Sequence, residues 1–428
     1  MKTVFKMRRF SWELVAAALC VFVQSESVNA GPEIKLAIGH HPEIKLADSE
    51  ADQILKEATD AVAKQDGPDD VICDITLRRS GAVKVAGTYP LEINSAAQFN
   101  AAKEMGTNII VVDRIRYCGG FGSGILGCAS VPGKCFVVVR NVVSSGSSGP
   151  VIQGLVWAHE FGHNRGLSHM NRKRALMYPV ALLQNRELDQ SESQIYSTGK
   201  IGVQPITVAN SDVTATAPDS TQVPVLEPIE QVVRGVYPHG LPYTLLKQYP
   251  KESAGTLREM FHSADAKPYQ GQIAGALCII GDASDLGIIS TFIEEPAKAE
   301  DDVAIGNKEA AITALGYLLA KTNDDKVLQF LRSSVTDQGW ESRKLKWLTP
   351  DDSASKRAIK SLKMAAIAGL ALSGTDKAQT TLQQLADQKL GPMDEDPNVQ
   401  AIIKQAPTEI DKVRKMGLEN YSRHGPDH

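Results

Sequence analysis

Between His159 and His169 the chain reads HEFGHNRGLSH, and this spacing restricts the local fold more tightly than any other feature. His159 and His163 are four residues apart, so a helix projects both from one face, one turn apart. Their imidazoles can then reach a single ion together. Glu160 follows the first histidine and lies beside that ion without filling its coordination. Gly166 can take a left-handed conformation that ends the helix and turns the chain back. His169 thereby approaches from a different direction and supplies a third nitrogen. Three neutral imidazoles with one open position describe a catalytic zinc site, one ion per chain, rather than a structural site. The competing reading is a helix that merely carries surface histidines. The preceding "GLVWA" speaks against it, because it gives the helix an apolar face to bury.

At 428 residues the chain is long for one domain, which suggests two or three. A formal net charge of −4 gives no reason to expect nucleic acid or an anionic membrane as partner. Residues 1–30 read as an export signal. Lys2, Lys6, Arg8 and Arg9 form a basic start, "LVAAALCVFV" an apolar run about half as long as a membrane span, and cleavage is expected after Ala30. No later segment is apolar enough to span a bilayer. The mature protein is expected to be secreted, extracellular or periplasmic. Export places Cys73, Cys118, Cys128 and Cys135 where disulfides persist. Cys278, inside the apolar "AGALCIIG", reads as a buried free thiol.

Residues 31–47 hold a tandem "PEIKLA" and read as a mobile arm. An amphipathic helix follows, capped by Asp48 or Ser49 and ended by Gly67, with Ile54, Leu55, Ala58, Ala61 and Val62 on one face. "DVICDITL" and "AVKVAGTY" read as a strand pair around "RRSG". "NSAAQFNAAKEMG" reads as a short helix capped by Asn94 or Ser95. "TNIIVVDRIRY" and "KCFVVVRNV" are β-branched strands, and the motif helix begins near Val151. Residues 200–241 are rich in Thr, Ser, Pro and Asp and suit a linker. Residues 242–421 read as helical, with a short tail at 422–428. Three segments there repeat a pattern of helix, polar turn with Asp, and second helix, which resembles HEAT-type repeats; a generic helical bundle is the alternative.

The histidine motif with the "ALMYP" that follows resembles the metzincin zinc endopeptidases, closest to the matrixin branch. The likeness covers roughly residues 47–199. It implies an α+β catalytic domain with a mixed sheet and an active-site helix, here 48–199; the all-α, HEAT-like region that follows lies outside the likeness. It implies zinc on His159, His163 and His169, Glu160 as general base, and Met177 flooring the site. Tyr178 follows the methionine directly, whereas branches with a tyrosine ligand place it one residue later, so it is not expected to bind zinc. Ile125, Leu126, Gly127, Cys128 and Ala129 fall where matrixins carry the edge strand that pairs with substrate, an interaction made by main-chain hydrogen bonds.

Two departures from the family matter. Matrixins hold this loop with a second zinc and calcium, but residues 117–134 contain no His, Asp or Glu. A Cys118–Cys128 disulfide is the natural substitute, with Cys135 as the candidate partner of Cys73, although four cysteines allow three pairings. There is also no cysteine between Gly31 and Ile72 to serve as a propeptide inhibitor. The leading expectation is a secreted zinc endopeptidase acting on protein or peptide substrates, with a separable helical domain that binds substrate or a protein partner. A chain ending near Gly199 is then expected to fold alone. The rival is a protein-binding helical repeat attached to an inert metzincin-like scaffold. The intact Glu160 argues for the enzyme.

Overall fold

The computed structural model describes residues 31–423, apart from 66, 68–69, 142–148, 171, 173, 180–184, 200–225, 300, 349–351 and 393. The expected signal and most of the expected linker lie outside the described residues. Among the described residues, ten strands form three small sheets. The central one has the order β4 (Lys84–Val85), β2 (Ile38–His40), β6 (Ile109–Val112), β10 (Phe136–Val139), β9 (Gly127–Ala129). All its pairings are parallel except β9 with β10, which leaves β9 as an antiparallel edge. A second sheet joins β5 (Glu92–Ile93), β7 (Arg114–Tyr117) and β8 (Phe121–Ile125), and a third pairs β1 (Glu33–Leu36) with β3 (Thr76–Arg79).

The tandem at 31–47 is therefore not an arm. Its first copy is β1, and the chain continues directly into β2, which is buried between β4 and β6. Nor do the segments flanking "RRSG" pair with each other: β3 joins β1 and β4 joins β2, each in parallel. "TNIIVVDRIRY" divides at Asp113, with β6 in the central sheet and β7 in the second.

The β6 and β10 runs are apolar throughout because both faces of the sheet are covered. Ile109, Val111, Phe136 and Val138 point to one side, where α1 (Asp48–Val62) and α3 (Gly149–Arg165) pack. Gly154 lets these two helices approach closely, since a Cβ there would lie 2.5 Å from the Glu57 Cβ. Helix α1 buries Ala51, Ile54, Leu55, Ala58, Ala61 and Val62, the stripe read from its spacing. Its N-cap is Ala47 without a side-chain bond, while Asp48 accepts from the Val83 amide at 2.9 Å. Helix α2 (Ala96–Lys103) starts at Ser95, whose side chain accepts from the Gln98 amide.

Ile110, Val112, Val137 and Val139 point to the other side, into a core shared with the C-terminal half. After α4 (Gln190–Thr198), that half runs α5 (Ile229–Val232), α6 (Tyr243–Leu246), α7 (Ser253–Phe261), α8 (Gln270–Ile280), α9 (Leu286–Glu294), α10 (Asp302–Thr322), α11 (Asp325–Ser334), α12 (Asp337–Ser342), α13 (Ser353–Ser373), α14 (Asp376–Ala386), α15 (Pro397–Met416) and α16 (Leu418–Arg423). The three look-alike segments are α8 with α9, α10 with α11, and α13 with α14. Helices α8, α10, α13 and α15 stack in a row, and α10 and α13 lie against β8. Asp301, Asp324, Asp352 and Asp396 cap the starts of α10, α11, α13 and α15.

This packing departs from the expected separable domain. One apolar core runs from Tyr89 and Ile93 through β8 to Val413. Arg116 is buried between the halves: its guanidinium donates to Glu92 at 3.0 Å and Asn94 at 2.9 Å on one side, and to Glu309 at 2.9 Å and Ser361 at 3.1 Å on the other. Tyr421 accepts from the Phe121 amide at 2.6 Å and donates to Glu409 at 2.7 Å.

Candidate metal centre

Helix α3 carries His159, Glu160 and His163, all at most 1% exposed. Its end follows the expected course: Gly166 has φ 107°, the Gly166 amide bonds to His163 O at 2.9 Å, and Leu167 returns to Gly162 O at 3.0 Å. The chain then brings His169 back, its Nε2 3.3 Å from that of His159. Met177 is fully buried below α3. A Cβ on Gly162 would meet its sulfur at 2.5 Å, so the glycine permits this floor. The following segment is closed by α4, whose start is a reciprocal cap between Asp189 and Glu192.

The ring nitrogens that do not face the site fix the tautomers. His159 Nδ1 lies 2.8 Å from Leu176 O, and His163 Nδ1 lies 2.8 Å from Leu167 O. A carbonyl can only accept, so each neutral ring carries its proton on Nδ1 and turns a bare Nε2 lone pair inward. Burial, with the neighbouring imidazoles, holds His159 well below the usual histidine range, which keeps it in the neutral form a metal ligand needs.

A fourth histidine joins them. His239 Nε2 is 3.2 Å from His159 Nε2 and 3.1 Å from His163 Nε2, and the donor atoms of all four rings lie within 4.8 Å of one another. In a tetrahedral zinc site with Zn–N near 2.0–2.1 Å, neighbouring nitrogens are about 3.3 Å apart. The His159–His169, His159–His239 and His163–His239 separations are close to that edge, and His159 and His163 turn their Nε2 lone pairs towards the same point. The donor set fits zinc.

The expected edge strand is formed by the end of β8 and by β9, with Cys118 bonded to Cys128 as the proposed substitute for loop metals. Gly127 sits against the glutamate, since a Cβ there would lie 2.3 Å from Glu160 Oε1. The second cysteine pair does not form. Cys73 and Cys135 are buried free thiols that belong to the two cores on opposite faces of the sheet. Cys278 is a buried free thiol, as expected.

His239 was hidden because "VYPHGLPY" reads as linker. Its only local signal is a histidine held between Pro238, which limits φ, and Gly240, which adopts φ +85°. This segment lies along the edge strand: the Leu126 and Gly127 amides donate to Pro238 O at 2.7 and 3.0 Å, and Leu241 N donates to Ser123 O at 3.3 Å. His239 pairs with Ile125 in the antiparallel sense.

A parallel sheet with an antiparallel edge, a helix bearing HExxH and a third histidine after a glycine turn together define a metzincin-like α+β domain, followed by a helical region. Residues 85–199 match the matrixin family model, which covers less than half of the chain and contains the whole histidine motif, Met177 and α4. That stretch is similar to the matrixin domain, whose family consists of zinc metalloproteases. Comparison with curated proteins gave no match. Among the described residues no helix is long and apolar enough to cross a membrane.

Proposed function

We propose that the protein is an exported zinc endopeptidase that hydrolyses peptide bonds in protein or peptide substrates. The observation that carries this reading is the convergence of the His159, His163 and His169 nitrogens beside a buried Glu160, at the backbone of an edge strand. His159, His163 and His169 would hold a zinc ion, which would serve as a Lewis acid, lowering the pKa of a bound water towards about 7 and polarising a carbonyl. Glu160 takes the proton of the attacking water on its carboxylate and delivers it to the departing amine nitrogen. Burial of the glutamate, with Gly127 leaving space for it, keeps that carboxylate pointed at the reacting bond.

Released from the Pro238 carbonyl, the Leu126 and Gly127 amides are donors for an extended peptide, and residues 125–129 bind it without regard to sequence. Met177 supports the rings from below. The helical half, 242–421, recognises the folded substrate or a partner on the surface of its stacked helix pairs. The short basic and apolar start of the chain directs export.

A second reading is favoured by one observation. His239 completes four nitrogens, and closed metal sites are structural. The domain would then be an inert scaffold for the helices. Cleavage-site profiling on a peptide library decides between them, using the His239→Ala chain, which lacks the fourth nitrogen. New termini that disappear on zinc chelation support the endopeptidase; an unchanged library supports the scaffold.

A further inference from the structure

We propose that residues 236–241 are an internal substrate mimic, with His239 as a fourth ligand of the metal, so that the chain as folded is a latent enzyme. The proposal rests on the endopeptidase reading and adds a regulatory ligand to the same site.

Three independent features place this segment where a substrate would lie. Its backbone takes the hydrogen bonds of the edge strand, antiparallel and centred on Ile125, so an incoming peptide finds the Leu126 and Gly127 amides occupied. Its histidine enters the position that three protein ligands leave open, with Nε2 3.1 and 3.2 Å from two of them. The same ring stands 3.7 Å from Glu160 Oε1, between the base and any scissile carbonyl. A peptide bond cannot be attacked there, because His239 presents a ring nitrogen where the carbonyl would need to be.

The segment is anchored by the helical half on both sides. Tyr237 is buried and its hydroxyl donates to Val232 O at the end of α5. Gln272 of α8 donates to Gly235 O at 3.0 Å. Beyond the histidine, Leu241 packs on Gly275 of α8, where a Cβ would approach its side chain to 2.5 Å. Gly240 crosses the edge strand so closely that a Cβ would lie 2.4 Å from Ser123 O. Withdrawing His239 therefore requires α5 and α8 to release their grip, which ties opening of the cleft to the state of the helices.

The test uses the mature full-length chain loaded with zinc, or with cobalt as an optical probe, and the His239→Ala and His239→Gln variants. X-ray absorption at the zinc edge should count four imidazole ligands in the wild type and three plus a water oxygen in either variant. If the plug holds the cleft closed in about 99% of molecules, removing it raises hydrolysis of an unstructured peptide by about a hundredfold. Three imidazoles in the wild type overturn the proposal, and that measurement stands even if a variant misfolds. Four imidazoles in the wild type with equal hydrolysis by wild type and a well-folded variant overturn latency. If the wild type and both variants hydrolyse nothing, while the ligand count falls from four to three, His239 stands as a ligand but the endopeptidase reading fails, and latency with it.

Discussion

Ending the chain at Gly199 removes α10 and α13, which lie against β8 of the second sheet. Ile115, Tyr117, Phe121 and Ile125 are each at most 5% exposed in the intact chain, with α10 and α13 lying against β8. Complete exposure of a large apolar side chain costs about 1.5–3 kcal/mol, so these four represent about 6–12 kcal/mol. If the fragment still covers half of that surface, about 3–6 kcal/mol is lost, against a total stability of about 5–15 kcal/mol for an ordinary domain. Residues 31–199 are therefore expected to aggregate or to populate a loosened state, even though they contain the complete three-histidine motif. The assay is urea unfolding followed by tryptophan fluorescence, with light scattering and zinc content on the same samples. A monomeric fragment that unfolds cooperatively at the midpoint of the full chain would refute the reasoning and restore the independent domain.

Arg116→Ala leaves the buried Glu92 without its ion pair, although Glu309 keeps Arg114 at 2.9 Å, and should cost about 3–5 kcal/mol in urea unfolding. Burial works to raise the Glu92 carboxyl, but Arg116, Lys360 and Arg114, with a hydrogen bond from Asn94, together outweigh it and hold it below the usual value. Its stabilisation is present above that usual value and is lost as pH falls through the depressed one, so the melting temperature should drop in acid, and Glu92→Gln should flatten that limb. Cys128→Ser opens the loop closed across a separation of 10 residues and should cost about 2–3 kcal/mol, read from thermal melts with and without reductant. Gly127→Ala drives a methyl into Glu160. In the open-cleft background it should lower kcat more than it raises KM while zinc stays bound, and an unchanged kcat would mean the glutamate has room to move.

The three ligands of the motif were legible because helical spacing and one glycine turn are local properties, written within eleven residues. His239 was not, because its role depends on a contact across 80 residues with His159 that no local pattern encodes. The same limit explains the sheet. The unbroken apolar runs of β6 and β10 announce two covered faces, but nothing in "IIVV" says that the second cover is the C-terminal half. Asp113 marks where one run becomes two strands in different sheets, and a propensity reading passes over a single residue. "PEIKLA" reads as an arm because four-residue strands carry too little pattern, and only their parallel partners far along the chain reveal them. Cys118 and Cys128 pair because β7 and β9 bring them together, while Cys73 and Cys135 are kept apart by the thickness of the sheet.

The central claim is that Glu160 works as a base beside a zinc ion held by His159, His163 and His169. Its most direct test compares peptide hydrolysis by the His239→Ala chain with that of His239→Ala/Glu160→Gln, each assayed with its zinc content. The account predicts one zinc per chain in both and a loss of about 10²- to 10⁴-fold in kcat when the carboxylate becomes an amide. Equal turnover by the two chains at equal zinc would contradict it.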